Sequence, residues 1–273
     1  MSSEKVKGKL VIFTDLDGTL LDEQYSFSDA LDAIAEIKRR RIPLIICSSK
    51  TRAEIEFYMK ELKLNEPFIS ENGGGIFIPA GYFSKLAADK KIGKYYVIEL
   101  GTPYKELRKI LKEVQEITGF KIRGFGDMSV EDIIKLTKLN KRFAELSKKR
   151  EYDEPFVIES SENAEKILKI IEEKGFKCVR GGLFYHLIRG NDKGKAVKIL
   201  TEIFKENGFS GLTVGLGDSY NDIPMLENVD IPVLIKRRDG FIDFHKENLI
   251  KSSYIGPKGW NEVILQILEK FYS

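Results

Sequence analysis

The first strong pattern in the chain is an unbroken apolar run, Leu10-Val11-Ile12-Phe13, that ends at Asp15. Such a run of strand formers predicts a strand buried on both faces of a sheet. From Ser28 to Arg41 the apolar positions fall at helical spacing, with Leu31, Ile34 and Ile37 on one face. Ser28 is the expected N-cap, and Lys38 to Arg41 meet the negative end of the helix dipole. Pro43 opens a second apolar strand, Leu44 to Cys47, followed by Ser48-Ser49-Lys50-Thr51 and a second amphipathic helix using Ile55, Met59 and Leu62. Phe68 to Ser70 and Ile76 to Pro79 read as short strands around Glu71-Asn72-Gly73-Gly74-Gly75, whose glycines permit close backbone approach or positive φ.

The rhythm then changes. Tyr95 to Leu100 reads as a strand, and a helix begins at Thr102-Pro103 and stops at Gly119. A strand over 120–124 follows, then two shorter helices, one capped by Ser129 with Asp132 three residues on. A strand Phe156 to Glu159, a helix over 163–174 and a hairpin through Gly181-Gly182 complete this stretch. The first rhythm returns with a helix over 194–207, strands Leu212 to Leu216 and Val233 to Ile235, and a final helix from about Gly259. Strands alternating with helices predict an α/β fold, a Rossmann-like doubly wound and mostly parallel sheet. The middle stretch predicts an inserted α+β unit, so the expected division is a core of residues 1–79 and 187–273 around an insertion of 80–186.

Composition narrows the class. The 273 residues are 42% hydrophobic and 32% charged, with a net charge of only +3, which fits a globular protein and argues against nucleic acid or an anionic membrane as partner. No apolar run exceeds four residues and Met1-Ser2-Ser3-Glu4-Lys5 carries no signal-peptide pattern, so neither a leader nor a membrane span is expected. Two cysteines, Cys47 and Cys178, exclude a disulfide framework or a structural zinc cluster, and a cytoplasmic protein is expected, as a monomer or homodimer. High charge with few His, Cys and Gln also resembles heat-adapted composition.

In open α/β sheets ligands bind beyond the carboxyl ends of the strands, so the residues there are read together. They are Asp15 and Asp17, Ser48, the Glu71-Asn72 loop, and Asp218 with Asp222. So many carboxylates call for a hard divalent cation, and the sparse oxygen set suits Mg²⁺ alongside substrate phosphate better than a calcium cage. An EF-hand fails because its twelfth position is Ser26, and a dinucleotide fingerprint at Gly215-Leu216-Gly217 fails because Tyr220 replaces its third glycine. Phosphoryl transfer uses the set well. Asp15 is the candidate nucleophile, and Asp17 the acid that protonates the leaving alkoxide and later takes a proton from water. Lys193, at a helix start, would face the phosphoryl oxygens, and Ser48 would add a hydroxyl donor.

Asp15-Leu16-Asp17-Gly18-Thr19, Ser48, Lys193 and Gly217-Asp218-Ser219-Tyr220-Asn221-Asp222 resemble, in order, the four motifs of the haloacid dehalogenase-like phosphatases. The resemblance implies Mg²⁺ held by the side chains of Asp15 and Asp218 and the backbone carbonyl of Asp17, with Asp222 and Asn221 supporting from behind. It also implies that the insertion is a cap that selects substrate. Nearly the whole chain is similar to the mannosyl-3-phosphoglycerate phosphatase family within that superfamily, including Cys47 to Arg52, Ile69 to Gly75, Gly124 to Met128, Arg150 to Glu154 and Gly181 to His186. That similarity implies a phosphorylated sugar-glycerate as substrate and a compatible solute as product. One departure stands at Leu183, where the family pattern carries an Arg; a contact to the substrate carboxylate is then either absent or supplied by Arg180.

The expected substrate-binding set is Ser49, Lys50, Arg52, Glu71, Asn72, Gly73, Arg180, Gly181, Gly182 and His186. Asn72 and the following glycines equally fit a tight turn without ligand contact, and His186 reads first as a packed, hydrogen-bonded strand residue. Arg39 to Arg41, Lys90-Lys91 and Lys148 to Arg150 read as solvated surface charge. Glucosyl-3-phosphoglycerate is the alternative substrate. A hexose phosphate mutase on the same core and a non-catalytic sugar-phosphate binding protein are the rival functions; the second has no need for Asp17.

Overall fold

A computed structural model describes residues 8–159, 161–181 and 183–272. The first group of elements is β1 (Leu10–Thr14), α1 (Leu31–Arg39), β2 (Leu44–Cys47), α2 (Arg52–Glu61), β3 (Phe68–Ser70), β4 (Gly75–Pro79), β5 (Lys90–Ile92) and β6 (Tyr95–Glu99). The second is α3 (Tyr104–Thr118), β7 (Ile122–Gly124), α4 (Val130–Thr137), α5 (Lys141–Ser147), β8 (Glu154–Ile158), α6 (Ala164–Glu173), β9 (Lys177–Gly181) and β10 (Phe184–Ile188). The last is α7 (Lys193–Glu206), β11 (Leu212–Gly217), α8 (Ile223–Glu227), β12 (Ile231–Lys236), β13 (Ile250–Ile255) and α9 (Gly256–Tyr272). No helix among the described residues is long and apolar enough to cross a membrane.

Two sheets result: nine strands in the order β13-β12-β11-β1-β2-β3-β4-β6-β5, and four in the order β7-β8-β10-β9. The nine-stranded sheet is parallel from β13 to β3 and antiparallel beyond, which gives the doubly wound α/β architecture its mixed edge. Side-chain alternation in β1 explains the double winding. Leu10 and Ile12 pack with Ile34 and Ile37 of α1 and Trp260 of α9, while Val11 and Phe13 pack with Val197 and Leu200 of α7. The four-stranded antiparallel sheet has its own core, in which Leu107 and Leu111 of α3 and Ile167 and Ile171 of α6 meet Phe156 and Leu187.

Several boundaries differ from the sequence reading. The strand at 95–99, expected in the insertion, pairs antiparallel with β4 and extends the large sheet, because β4 offers a free edge and Tyr95 and Val97 alternate into its core. Strand β5 pairs in turn with β6. Ser28 does not cap α1: residues Ser28–Ala30 form a 3₁₀ turn, and the helix starts at Leu31 without a side-chain cap. Strand β13 was not foreseen, since only Ser252 in it is buried. Helix α9 begins at Gly256, ahead of the expected Gly259. Arg40 is only partly exposed, folding onto the Tyr272 ring with Glu36 at 3.1 Å.

The topology places the carboxyl ends of β11, β1, β2 and β3 side by side. Asp218, Asp15, Ser48 and Glu71 follow those strands directly. Helix α7 starts at Lys193 beneath them, capped by Asp192, which accepts from Lys195 N at 2.7 Å. The 71–73 turn presses on this start: Gly73 has φ 86°, and a Cβ there would lie 2.1 Å from the Asp192 carbonyl oxygen. Gly73→Ala is therefore expected to destabilise the fold by about 2–4 kcal/mol, through backbone overlap and a disfavoured φ, as read from urea unfolding.

Candidate active site

Lys193 sits at the centre of the strand ends, with a fully buried side chain. Its Nζ donates to Asp15 Oδ1 and Asp222 Oδ1, both at 2.6 Å. Burial works against its positive charge, yet the two carboxylates hold the ammonium's affinity for its proton above the ordinary lysine value. Burial pushes Asp15 up to about 7, with Lys193 pulling the other way and Asp222 and Asp17 adding to the rise. Asp218 is raised for the same reasons, burial first and then Asp222 and Asp15. One buried cation thus faces three buried carboxylates.

Asp15, Asp218 and Asp222 each bring a carboxylate oxygen within 4.8 Å of the other two. The donors are all hard oxygens, which suits a divalent cation of the magnesium type and disfavours zinc. Asp222 is already committed, because its Oδ2 accepts from Asp218 N at 3.0 Å, Ser219 N at 3.0 Å and Ser219 Oγ at 3.1 Å. Asp15 keeps Oδ2 open, its Oδ1 being taken by Lys193, and Asp218 accepts at Oδ1 from Thr19 Oγ1 at 3.1 Å. Gly18, with φ 75°, keeps their approach clear, since a Cβ there would lie 2.7 Å from Asp218 Oδ2. The residues present fit the ion.

Asp17 differs from Asp15 in solvation, with a side chain 46% exposed against 7%. Lys50 Nζ holds it at 2.9 Å, lies 3.8 Å from Glu54 and rests over the Tyr25 ring. Burial opposes charge on Lys50, but Asp17 and Glu54 outweigh it and raise its proton affinity. A cavity of about 780 Å³ opens here, within the range of small-molecule sites. Asp15, Asp17, Ser49, Lys50, Asp218 and Asn221 line it from the side of the large sheet, and Arg180, Leu183 and His186 from the smaller one, with Arg150 in the loop before β8.

Some expected substrate residues lie elsewhere among the described residues. Arg52 turns to Glu151 at 3.2 Å and Glu56 at 3.3 Å, because those carboxylates are the nearest counter-charges at the start of α2. Glu71 is buried, and its carboxylate accepts from Tyr152 N at 2.7 Å and Glu151 N at 3.0 Å. Asn72 and Gly73 belong to the same packed turn. Ser48 is buried behind the cavity wall, with its Oγ accepting from Lys50 N at 3.3 Å. Gly181 ends β9, paired with Phe184, while Gly182 lies outside the described residues. Leu183 stands 70% exposed at the cavity mouth, and Arg180 lines the cavity beside it with its guanidinium over the Tyr185 ring.

Arg150, read as surface charge, is the main omission. Its side chain is 6% exposed, and it donates to Ser49 O at 2.8 Å and Ser147 O at 2.9 Å. Lys148 likewise turns inward to Phe125 O at 3.0 Å. A basic run has no periodicity to betray such burial; the neighbouring Tyr152 and Asp153, both buried, carry the only local signal. Glu54 was also overlooked, although Thr51 and Glu54 spell a capping box, which the structure forms.

The haloacid dehalogenase-like hydrolase family matches residues 12–239. The chain belongs to that family. Among curated relatives of this hydrolase, a glucosyl-3-phosphoglycerate/mannosyl-3-phosphoglycerate phosphatase of Persephonella marina is 48% identical over 96% of this chain and 98% of its own. One of the same name from Methanococcoides burtonii is also 48% identical, with 96% and 98% covered. A mannosyl-3-phosphoglycerate phosphatase of Pyrococcus furiosus is 41% identical over 82% of this chain and 90% of its own. The fold is that of a Thermoplasma acidophilum crystal structure, with TM-score 0.69 at 22% identity, covering 97% of this chain and 98% of the other.

Burial raises Glu71 to about 8 from 4.5, with Arg150 lowering it and Asp153 raising it. A raised carboxylate means the folded hydrolase keeps a proton that the unfolded chain releases. Its contribution to stability is therefore full below pH 4.5 and is lost as pH rises to about 8. Glu71→Gln keeps an acceptor for Tyr152 N without the ionisation. Across that window the wild type is expected to lose on the order of a few kcal/mol relative to Glu71→Gln in unfolding free energy measured against pH.

Proposed function

We propose that this hydrolase is a Mg²⁺-dependent phosphatase that converts mannosyl-3-phosphoglycerate to mannosylglycerate and accepts the glucosyl ester as well. The observation that carries the reading is the buried Lys193 bridging Asp15 and Asp222, beside an open Asp218 and a second, solvated carboxylate at Asp17. The hexosyl-3-phosphoglycerate substrate rests on the names of the relatives, and the dual sugar on the two that are 48% identical and named for both esters. Chain division follows the sheets: the nine-stranded sheet is the catalytic core, and the inserted four-stranded unit the substrate-selecting cap. The enzyme would act in the cytoplasm.

In this reading Asp15 attacks phosphorus through Oδ2, since Oδ1 is engaged by Lys193. The ester P–O bond breaks, an acyl phosphate forms on Asp15, and the departing alkoxide takes a proton from Asp17. Asp17 then removes a proton from water, the hydroxide attacks phosphorus, and phosphate leaves with Asp15 regenerated. Mg²⁺ held by Asp15 and Asp218, with the Asp17 carbonyl, would neutralise charge on the phosphoryl oxygens. Lys193 supplies a fixed positive charge on the same side, and Ser48 the strand-end hydroxyl. Lys50, Arg150, Arg180 and His186 give the cavity the cationic and hydrogen-bonding groups that a substrate with both a phosphate and a carboxylate requires.

Three experiments test the proposal. Phosphate release is expected to be at least ~100-fold more efficient in kcat/KM on mannosyl- and glucosyl-3-phosphoglycerate than on free 3-phosphoglycerate or mannose 6-phosphate. Equal rates across that panel would remove the substrate assignment. Asp15→Asn is expected to lower kcat by about 10⁴-fold or more while the protein stays folded, and substantial residual turnover would overturn its role as nucleophile. EDTA should abolish wild-type activity, and added Mg²⁺ restore it.

A further inference from the structure

Asn72 lines no part of the cavity, yet every polar atom it has is bonded, each to a different segment. Its backbone N–H donates to Ser48 O at 3.1 Å, at the end of β2. Its carbonyl accepts from Asn191 Nδ2 at 3.3 Å, just ahead of Lys193. Its Oδ1 accepts from Asn221 Nδ2 at 3.1 Å, in the loop that carries Asp218 and Asp222. Its Nδ2 donates to Asp153 Oδ2 at 2.9 Å, and Asp153 in turn binds His186 Nδ1 at 2.8 Å on the cap strand β10. The residue is buried and held at φ 55°, ψ 38°, a left-handed conformation that asparagine tolerates better than most side chains.

We infer that Asn72 is a positioning residue that sets the register of the Ser48, Lys193 and Asp218 loops against one another and against His186 in the cap. The inference rests on the proposed phosphatase reading for what those loops do, though not for the bonds themselves. Directionality makes it testable. The Asn72 amide presents its oxygen to Asn221 and its nitrogen to Asp153. Asn72→Asp keeps shape and backbone preference but sets a second carboxylate against Asp153. Asp153→Asn in the same chain restores the chain of bonds with the direction of the 72–153 bond reversed. The new carboxylate accepts from Asn221 and from the new amide, whose oxygen stays beside His186 Nδ1.

The experiment measures kcat and KM on p-nitrophenyl phosphate and on mannosyl-3-phosphoglycerate for wild type, Asn72→Asp, Asp153→Asn and the double variant. Thermal unfolding and Mn²⁺ binding by titration calorimetry are followed in parallel. Asn72→Asp is expected to lose about 100-fold in kcat and at least ~10-fold in Mn²⁺ affinity in folded protein, since displacements of an ångström at a reacting centre have effects of that size. The double variant is expected to recover both to within about fivefold of wild type, a coupling that independent sites do not show. A folded Asn72→Asp with unchanged kcat and Mn²⁺ affinity would refute the inference, as would loss confined to thermal stability. If Asn72→Asp does not fold, the double variant decides: folded and active supports the register role, inactive or unfolded overturns it. Wild type that hydrolyses neither ester would sink the proposed function, while the Mn²⁺ cycle would still decide the role of Asn72.

Discussion

The structure depends on one ammonium group buried between two carboxylates. Lys193 is the first residue of α7, Asp15 follows β1, and Asp222 lies beyond β11, so the triad ties a helix start to two adjacent strand ends. Removing two or three charges from water is expensive unless each finds a partner at hydrogen-bond distance. The capping of α7 by Asp192, with Gly73 pressed against it, holds the helix start that carries Lys193 in place. Three donors fix the other oxygen of Asp222. With Lys193 and Asp222 so fixed, Asp15 is held in place, and it shares with Asp218 a surplus of negative charge at the strand ends.

The cap contributes in a different way. Its sheet turns one face to α3 and α6 and carries His186 on the side of the cavity, where Arg150 joins it from the loop before β8. Their polar groups are anchored before any ligand arrives, His186 by Asp153 and Arg150 by the Ser49 and Ser147 carbonyls. A cavity wall built from side chains that already have partners loses little freedom when a ligand binds, which favours affinity. The Leu183 tip, by contrast, is exposed and has no polar anchor.

Much of this was legible in the residues. The apolar runs that end at Asp15 and Cys47 read as buried strands because both faces are covered, and Asp15 and Asp17 beyond the first read as candidate site residues. What escaped reading had a common cause, namely long-range pairing that leaves no local trace. Residues 95–99 form the same alternating strand whether they pair in a cap or on the edge of the core, and only the free edge of β4 decides. Arg150 sits in a basic run that resembles any solvated turn, and its burial follows from carbonyls 101 and 3 residues away. Glu71 and Asn72 were correctly read as close to the catalytic strands, but whether a side chain faces ligand or protein depends on loops far apart in sequence. The bonds Asn72 makes to Asp153 and Asn221 span 81 and 149 residues.

The antiparallel extension of the large sheet has one more consequence. Its outermost strand, β5, is three residues long, exposed along most of its length, and carries Lys90 and Lys91. A broad sheet that ended on the apolar strand β4 would offer its unpaired backbone groups to any passing chain. Ending instead on a short lysine-bearing strip places positive charge where another copy of the same strip would have to approach. The lysines that line no part of the cavity thereby guard the edge of the sheet, Lys91 over the Tyr96 ring and Lys90 paired with Glu99.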